Sequence, residues 1–101
     1  MFILNVTTKV SHDVADSWLA WMKAEHIPAL IKTGCFLEAT ILFLVENTDD
    51  EGLTYAVQYK AQNKADYDRY IESFSQAFRD EAAKKWGDRI ISFRTLMEIV
   101  K

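Results

Sequence analysis

The residue best suited to acid–base chemistry is a histidine close to the only proline of the chain. His26 and Pro28 lie in the segment EHIPALIKTGCF, downstream of Trp18 and Trp21. On a helical wheel His26 falls near Met22, toward the apolar side of its helix. An imidazole in an apolar wall can exchange a proton near neutral pH, which makes His26 the candidate catalytic residue. The structural alternative is that His26 bonds a carbonyl group freed by Pro28, or caps a bent helix end.

Two amides and a guanidinium form a second candidate set. Asn5, Gln58 and Arg94 belong to three predicted strands that are expected to be neighbours, so they are able to converge on one face of a sheet. Amides and a guanidinium together anchor a carbonyl or a carboxylate well. If that face meets a second subunit, the same groups are instead polar contacts of an interface, since buried polar groups usually satisfy one another.

The other reactive residue types favour structural roles. Tyr67 and Tyr70 come early in the second predicted helix, where they are core residues or line the mouth of a pocket. Cys35 has no histidine at a motif spacing and is expected to enter the core. His12 follows a predicted capping serine and is expected to be solvated. The acidic run ENTDDE lacks the spacing of a calcium loop and is predicted to be a solvated turn, so no metal site is expected.

Composition narrows the classes of function. The chain has 101 residues, which predicts a single domain spanning residues 1–101. Its net charge of −3 disfavours nucleic acid, and its longest apolar run, ATILFLV, is too short to span a bilayer. The sequence has no glycine-rich phosphate loop, paired cysteines or nucleophile motif, so no cofactor is expected. A single cysteine and a start without the marks of a signal peptide predict a cytoplasmic location.

Strands and helices alternate in an order that indicates a fold. The predicted strands are FILNVTTKV, CFLEATILFLVE, LTYAVQYKA and RIISFRTLMEIV. The helix after the first strand is predicted to kink or restart at Pro28 and to end at Gly34. One long helix after the third strand is predicted to begin near Asn63 and to end at Gly87. The order β-α-β-β-α-β predicts an α+β, ferredoxin-like fold: a four-stranded antiparallel sheet with both helices on one face and the first and third strands in the centre.

The helix-free face of such a sheet must be polar or covered. The second predicted strand has few polar residues and is expected to be covered on both faces. Half of the residues are apolar and 13% are aromatic, a surplus for a small chain. We therefore predict a homodimer in which two sheets pack face to face around a two-fold axis, forming a dimeric α+β barrel.

The segment WLAWMKAEHIPALIKTGCF resembles a pattern in the dimeric α+β barrel superfamily. Members related to the ethyl tert-butyl ether degradation (EthD-like) proteins have an aromatic-rich first helix, a His-x-Pro step and a glycine before the second strand. The corresponding residues here are Trp18, Trp21, His26, Pro28 and Gly34. The whole chain, including YAVQY and ADYDRYIESF, resembles a small bacterial family of unknown function. The resemblance implies no single activity, because superfamily members include cofactor-free monooxygenases, isomerases, cyclases, haem-degrading enzymes and stress proteins.

The resemblance also bears on haem. Haem-degrading members have an asparagine on the first strand, which Asn5 matches, and a histidine ligand on the second helix. The second predicted helix here, KADYDRYIESFSQAFRDEAAKKW, contains no histidine. Haem is therefore not expected.

Three functions remain open from the sequence. The leading prediction is a homodimeric domain that binds a small apolar or carbonyl-containing molecule in an apolar pocket between the helices and the sheet. Its expected ligand contacts are Asn5, Trp18, Trp21, Met22, His26, Gln58, Tyr67 and Arg94. One alternative is a cofactor-independent monooxygenase, isomerase or cyclase that uses His26. The other alternative is a structural interaction module.

Overall fold

The strands form one antiparallel sheet in the predicted order. The computed structural model describes residues 1–46 and 51–101, so most of the predicted ENTDDE turn lies outside the described residues. In those ranges the strands are β1 (Phe2–Ser11), β2 (Glu38–Phe43), β3 (Gly52–Ala61) and β4 (Ile90–Glu98). They are arranged β2-β3-β1-β4, and every neighbouring pair is antiparallel. The prediction that the first and third strands are central is confirmed.

The first helical segment is divided into short pieces. A 3₁₀ turn (His12–Val14) leads into α1 (Ala15–Trp21), which is followed by a π-helical turn (Met22–His26) and by α2 (Ile27–Lys32). In the π turn the Ile27 N–H donates to the Met22 carbonyl, one residue further back than in an α-helix. The predicted irregularity at Pro28 is therefore a widened turn, after which Pro28 occupies the first turn of α2, where no donor is needed.

The second helical segment is not one long helix, so that prediction was wrong. The segment consists of α3 (Lys64–Ser73) and α4 (Ser75–Trp86), separated by Phe74, whose φ of −128° and ψ of −34° leave helical geometry. Serines flank Phe74, and serine side chains compete with the helix for backbone hydrogen bonds. In the described residues no helix is long and apolar enough to cross a membrane.

The predicted helix ends agree with the structure. The Asn63 side chain accepts a hydrogen bond from the Asp66 N–H at 2.9 Å, which caps α3. Gly34 after α2 and Gly87 after α4 have φ angles of 77° and 58°, in the region that residues with a Cβ rarely adopt. These ends determine where the chain turns back to the sheet.

Both helical segments lie on the same face of the sheet, as predicted, and the core lies between them. The base of the core is formed by alternate residues of β1 and β3, among them the fully buried Leu4, Val10, Val57 and Tyr59. From the helices, Trp18, Trp21, Met22, Leu30, Tyr70 and Trp86 are buried in the same cluster. Period-2 alternation in the strands thus separates a buried face from a face without helices.

The second strand is shorter and more exposed than predicted. It covers only Glu38–Phe43 and forms an edge of the sheet, with most of its side chains exposed. Cys35 and Phe36, at the start of the predicted strand, precede β2 and belong to the core. At the other end of the predicted strand Leu42 and Phe43 are 42% and 48% exposed, so this chain alone does not cover both faces of β2.

Candidate functional site

A cavity of about 300 Å³ lies between the first helical segment, α4 and the sheet. This volume is at the lower end of the range that ligand pockets occupy. The sheet contributes Leu4, Val57, Tyr59 and Ile90 to the lining, and most of the lining side chains are apolar. The site is therefore suited to a small molecule with a large apolar part.

An aromatic wall formed by α1 and the π turn holds the predicted histidine. Trp18, Trp21, Met22 and His26 all line the cavity. The imidazole of His26 stacks on Trp21, with ring centroids 4.6 Å apart and planes 30° apart. Its other neighbour is Phe78 of α4, which it meets edge to face at 5.7 Å. Packing on two sides fixes the orientation of the imidazole.

The electrostatics of His26 follow from its burial. Its Nδ1 is buried and has no hydrogen-bond partner among the described residues, and the indole nitrogen of Trp86 is in the same condition. Burial lowers the pKa of His26 from 6.5 to about 4, so the imidazole is neutral at physiological pH. A buried polar group without a partner costs about 1–3 kcal/mol, which makes His26 an unusual choice for a residue with a purely structural role.

Part of the cavity lining is polar and positively charged. Arg94 Nη1 donates a hydrogen bond to Ser75 Oγ at 2.8 Å. The hydroxyls of Thr8 and Ser92 share a hydrogen bond at 2.8 Å, and Arg79 also lines this cavity. The site therefore has an apolar region and a charged region.

Tyr70 lies close to both arginines. Burial raises the pKa of Tyr70, while the charge of Arg94, the neighbouring Ser75 and, more weakly, the charge of Arg79 oppose that rise. The tyrosine hydroxyl therefore keeps its proton at neutral pH and remains a hydrogen-bond donor to the charged end of the cavity.

The contribution of α4 to the cavity was only partly predicted from the sequence. Ser75, Phe78, Arg79 and Ala82 are spaced three and four residues apart and share one helix face. Phe78 and Ala82 fit the apolar spacing of the predicted helix, whereas Arg79, which also lines the cavity, was not identified in the sequence.

Arg94 is separated from the amides with which it was expected to converge. In the strand register Arg94 is opposite Val6, and Thr95 is opposite Asn5, so Arg94 and Asn5 are on different faces of the sheet. Asn5 and Gln58 do meet, since Gln58 Nε2 donates to Asn5 Oδ1 at 3.3 Å. That pair lies on the helix-free face and outside the cavity, so the predicted convergence of all three was wrong.

The predicted ligand contacts are therefore divided. Five line the cavity: Trp18, Trp21, Met22, His26 and Arg94. Tyr67 does not line the cavity. It lies three residues before Tyr70 in α3, and of the two only Tyr70 reaches the cavity. As to metals, no group of three or more histidine, cysteine, aspartate or glutamate side chains in residues 1–46 and 51–101 is placed to hold an ion.

The sheet order and this cavity define a ferredoxin-like α+β protein with a ligand-sized pocket between its helices and its sheet. The chain belongs to the family described as domain of unknown function DUF4286, whose model matches residues 1–100. Among curated proteins, none matches the chain.

Three known structures share the fold across almost the whole chain. A dimeric ferredoxin-like protein from an uncultured marine organism is 12% identical, with a TM-score of 0.69 over 99% of this chain and 95% of that one. An ethyl tert-butyl ether degradation (EthD) family protein from Bacillus halodurans C-125 is 11% identical, with a TM-score of 0.67 over 99% and 100%. SnoaB, a cofactor-independent oxygenase from Streptomyces nogalater, is 14% identical, with a TM-score of 0.60 over 99% and 94%. The ferredoxin-like fold is thus established, and activity is not implied at these identities.

Proposed function

We propose that this protein binds a small, largely apolar molecule in the cavity between its helices and its sheet. The observation that supports the proposal best is the cavity of about 300 Å³, whose lining is mostly apolar and includes Trp18, Trp21 and the half-buried imidazole of His26. A bound molecule would gain the apolar contacts of Trp18 and Trp21 and would pack beside the neutral imidazole of His26.

Binding is favoured over catalysis by the direction of the histidine pKa. A general base works best when its pKa is near the working pH, whereas burial lowers that of His26 to about 4. No carboxylate in the described residues forms an ion pair with His26 or restores its basicity. The neutral imidazole is therefore better suited to hydrogen bonding than to proton abstraction.

The second candidate function is that of a cofactor-independent enzyme. It is supported by the same desolvated imidazole in a largely apolar cavity and by the fold shared with SnoaB, which is described as a cofactor-independent oxygenase. In this case His26 would take a proton from an acidic substrate held at the cationic end of the cavity. Turnover of a retained ligand that is lost in His26→Phe would favour this function over binding.

The helix-free face of the sheet is proposed as a homodimer interface. Ile91 and Phe93 of β4 are 66% and 61% exposed there, with Met97 and Ile99 beside them. Opposite, β2 adds Leu42, and the hydrogen-bonded Asn5–Gln58 pair lies between these apolar strips. Two of the similar structures are described as dimeric ferredoxin-like proteins, which supports the same arrangement here.

A single domain and a cytoplasmic location remain predictions.

Filling the cavity should abolish binding without loss of the fold. Ala82 lines the cavity from α4, so Ala82→Phe places a ring in the space that a ligand would take. With 2-naphthamide as a neutral probe, we expect binding to the wild type to shift the indole N–H signals of Trp18 and Trp21 in NMR spectra. Ala82→Phe should weaken that binding by about tenfold or more, the effect of losing roughly 1.4 kcal/mol of contacts.

The matched control is Ala77→Phe, at an exposed position on the same helix and outside the cavity. It should bind the probe as the wild type does. Equal affinity in the Ala82 and Ala77 variants would show that the probe binds elsewhere. Native mass spectrometry of the protein from its own host then identifies any retained ligand.

A further inference from the structure

We infer that the ligand of this cavity is an anion, namely a small aromatic carboxylate whose ring packs against the tryptophan wall and whose carboxylate meets Arg94 and Arg79. The inference rests on the proposed small-molecule binding and specifies the charge and the orientation of the bound molecule.

The first support is an imbalance of charge. The chain as a whole has a net charge of −3, yet in the described residues the cavity is lined by two arginines and by no aspartate or glutamate. Neither Arg94 nor Arg79 forms an ion pair within residues 1–46 and 51–101, whereas Arg69 on the surface does so with Asp66. Two cations without counter-ions at the edge of an apolar cavity favour an anionic ligand.

The second support is the set of donors around Arg94. The residue lies on the helix-facing side of an edge strand and is held by Ser75 through one hydrogen bond at 2.8 Å. A guanidinium has five N–H donors in one plane, so a parallel pair remains for the two oxygens of a carboxylate. The Tyr70 hydroxyl lies within the influence of both arginine charges and keeps its proton, which adds a neutral donor at this end.

The third support is that no other charged side chain lines the cavity in the described residues. Trp18 and Trp21 form an apolar wall, and His26 stacks on Trp21 as a neutral ring. A second charged group on the ligand would have no partner against this wall. The small volume and the apolar lining disfavour nucleotides and sugars and favour one or two rings with a single anionic group.

The test compares two probes of the same shape, 2-naphthoate and 2-naphthamide, at neutral pH. Only the first has a charge, so the wild type should bind 2-naphthoate about tenfold or more tightly, since hydrogen bonds to charged groups are roughly twice as strong as neutral ones. This preference should become smaller in high salt. Arg94→Gln retains a donor for Ser75 and removes the charge, and it should bring the two affinities close together. Arg89→Gln, at an exposed arginine outside the cavity, should leave the preference unchanged.

The outcomes separate the inference from the function on which it rests. If both probes bind equally, or the amide binds more tightly, the cavity is a neutral site and the inference is overturned while small-molecule binding stands. A preference for 2-naphthoate that persists in Arg94→Gln and in Arg79→Gln also overturns it, because the charge would then be recognised elsewhere. If neither probe shifts the Trp18 and Trp21 signals, both proposals fail.

Discussion

Acidification from neutral pH to about pH 4 is expected to destabilise the folded protein by up to about 3 kcal/mol through His26. Burial lowers the pKa of His26 to about 4, whereas in the unfolded chain it is near the ordinary value of 6.5. Between these two values the unfolded chain binds a proton that the folded protein does not, so stability falls as the pH falls through this window. Only about one pH unit or more above 6.5 is the imidazole neutral in both states, so that it adds almost no slope there.

The variant His26→Phe isolates this effect in urea unfolding experiments across the window. Phenylalanine keeps a ring between Trp21 and Phe78 but cannot titrate, so most of the His26-dependent loss should disappear. Because the variant also removes a buried nitrogen without a partner, it should be about 1 kcal/mol more stable than the wild type at neutral pH. The exposed His12 is the matched control, and His12→Gln should keep the loss that His26 causes.

An NMR titration of the His26 ring measures its protonation directly. A midpoint near 6.5 would contradict the burial seen in the structure and would leave the binding proposal without its main support. If ligand addition moves the His26 signals as well as those of Trp21, the imidazole contacts the bound molecule. If His26→Phe instead costs stability at neutral pH, the residue is mainly structural.

Two glutamates on the helix-free face of the sheet are expected to convert the proposed homodimer to monomers. A two-fold interface there should bury at least about 1,200 Å² in total. Ile91 and Met97 are on this face, 66% and 37% exposed in the single chain, so a glutamate at either position would be desolvated only in the dimer. Each buried unpaired charge costs several kcal/mol, so Ile91→Glu with Met97→Glu should weaken association by about a thousandfold or more. Sedimentation at micromolar concentration should give twice the chain mass for the wild type and the chain mass for the double variant.

The control places the same charges on the helices. Ala20 and Ala77 are exposed there, so Ala20→Glu with Ala77→Glu should remain dimeric. Circular dichroism should show the fold retained in both double variants, since all four positions lie outside the core cluster. A wild type that sediments as a monomer would rule out the interface, as would a dimer that survives both glutamates on the sheet.

Local sequence patterns predicted much of the architecture. Alternation in LTYAVQYKA placed Tyr55, Val57 and Tyr59 on one face, and the structure buries all three. The cap at Asn63 and the turn at Gly87 were predicted because single residue types have strong conformational preferences there. Pro28 marked the irregularity in the first helical segment because it lacks a backbone donor. These features depend on a few adjacent residues, which the sequence displays directly.

The residues of the candidate site were predictable only where they lie on a single helical segment. Trp18, Trp21, Met22 and His26 follow one another on the first helical segment, so helical spacing alone brought them together. The absence of a partner for His26 Nδ1 was not predictable, because the groups around it come from other parts of the chain. The resemblance to EthD-like proteins rests on the same segment, so it identified no residue of α4 as part of the site.

The sequence by itself determined the order of the elements, the buried face of the central strands and the aromatic wall with its histidine. Only the tertiary structure decided that Arg94 lines the same cavity as that wall while Asn5 and Gln58 lie on the other face of the sheet. The reason is that strand parity is set by hydrogen bonds between residues roughly ninety positions apart, and a shift of one residue would reverse it. The division of the second helical segment at Phe74 was likewise visible only in the structure, because the helical spacing of apolar residues continues through it.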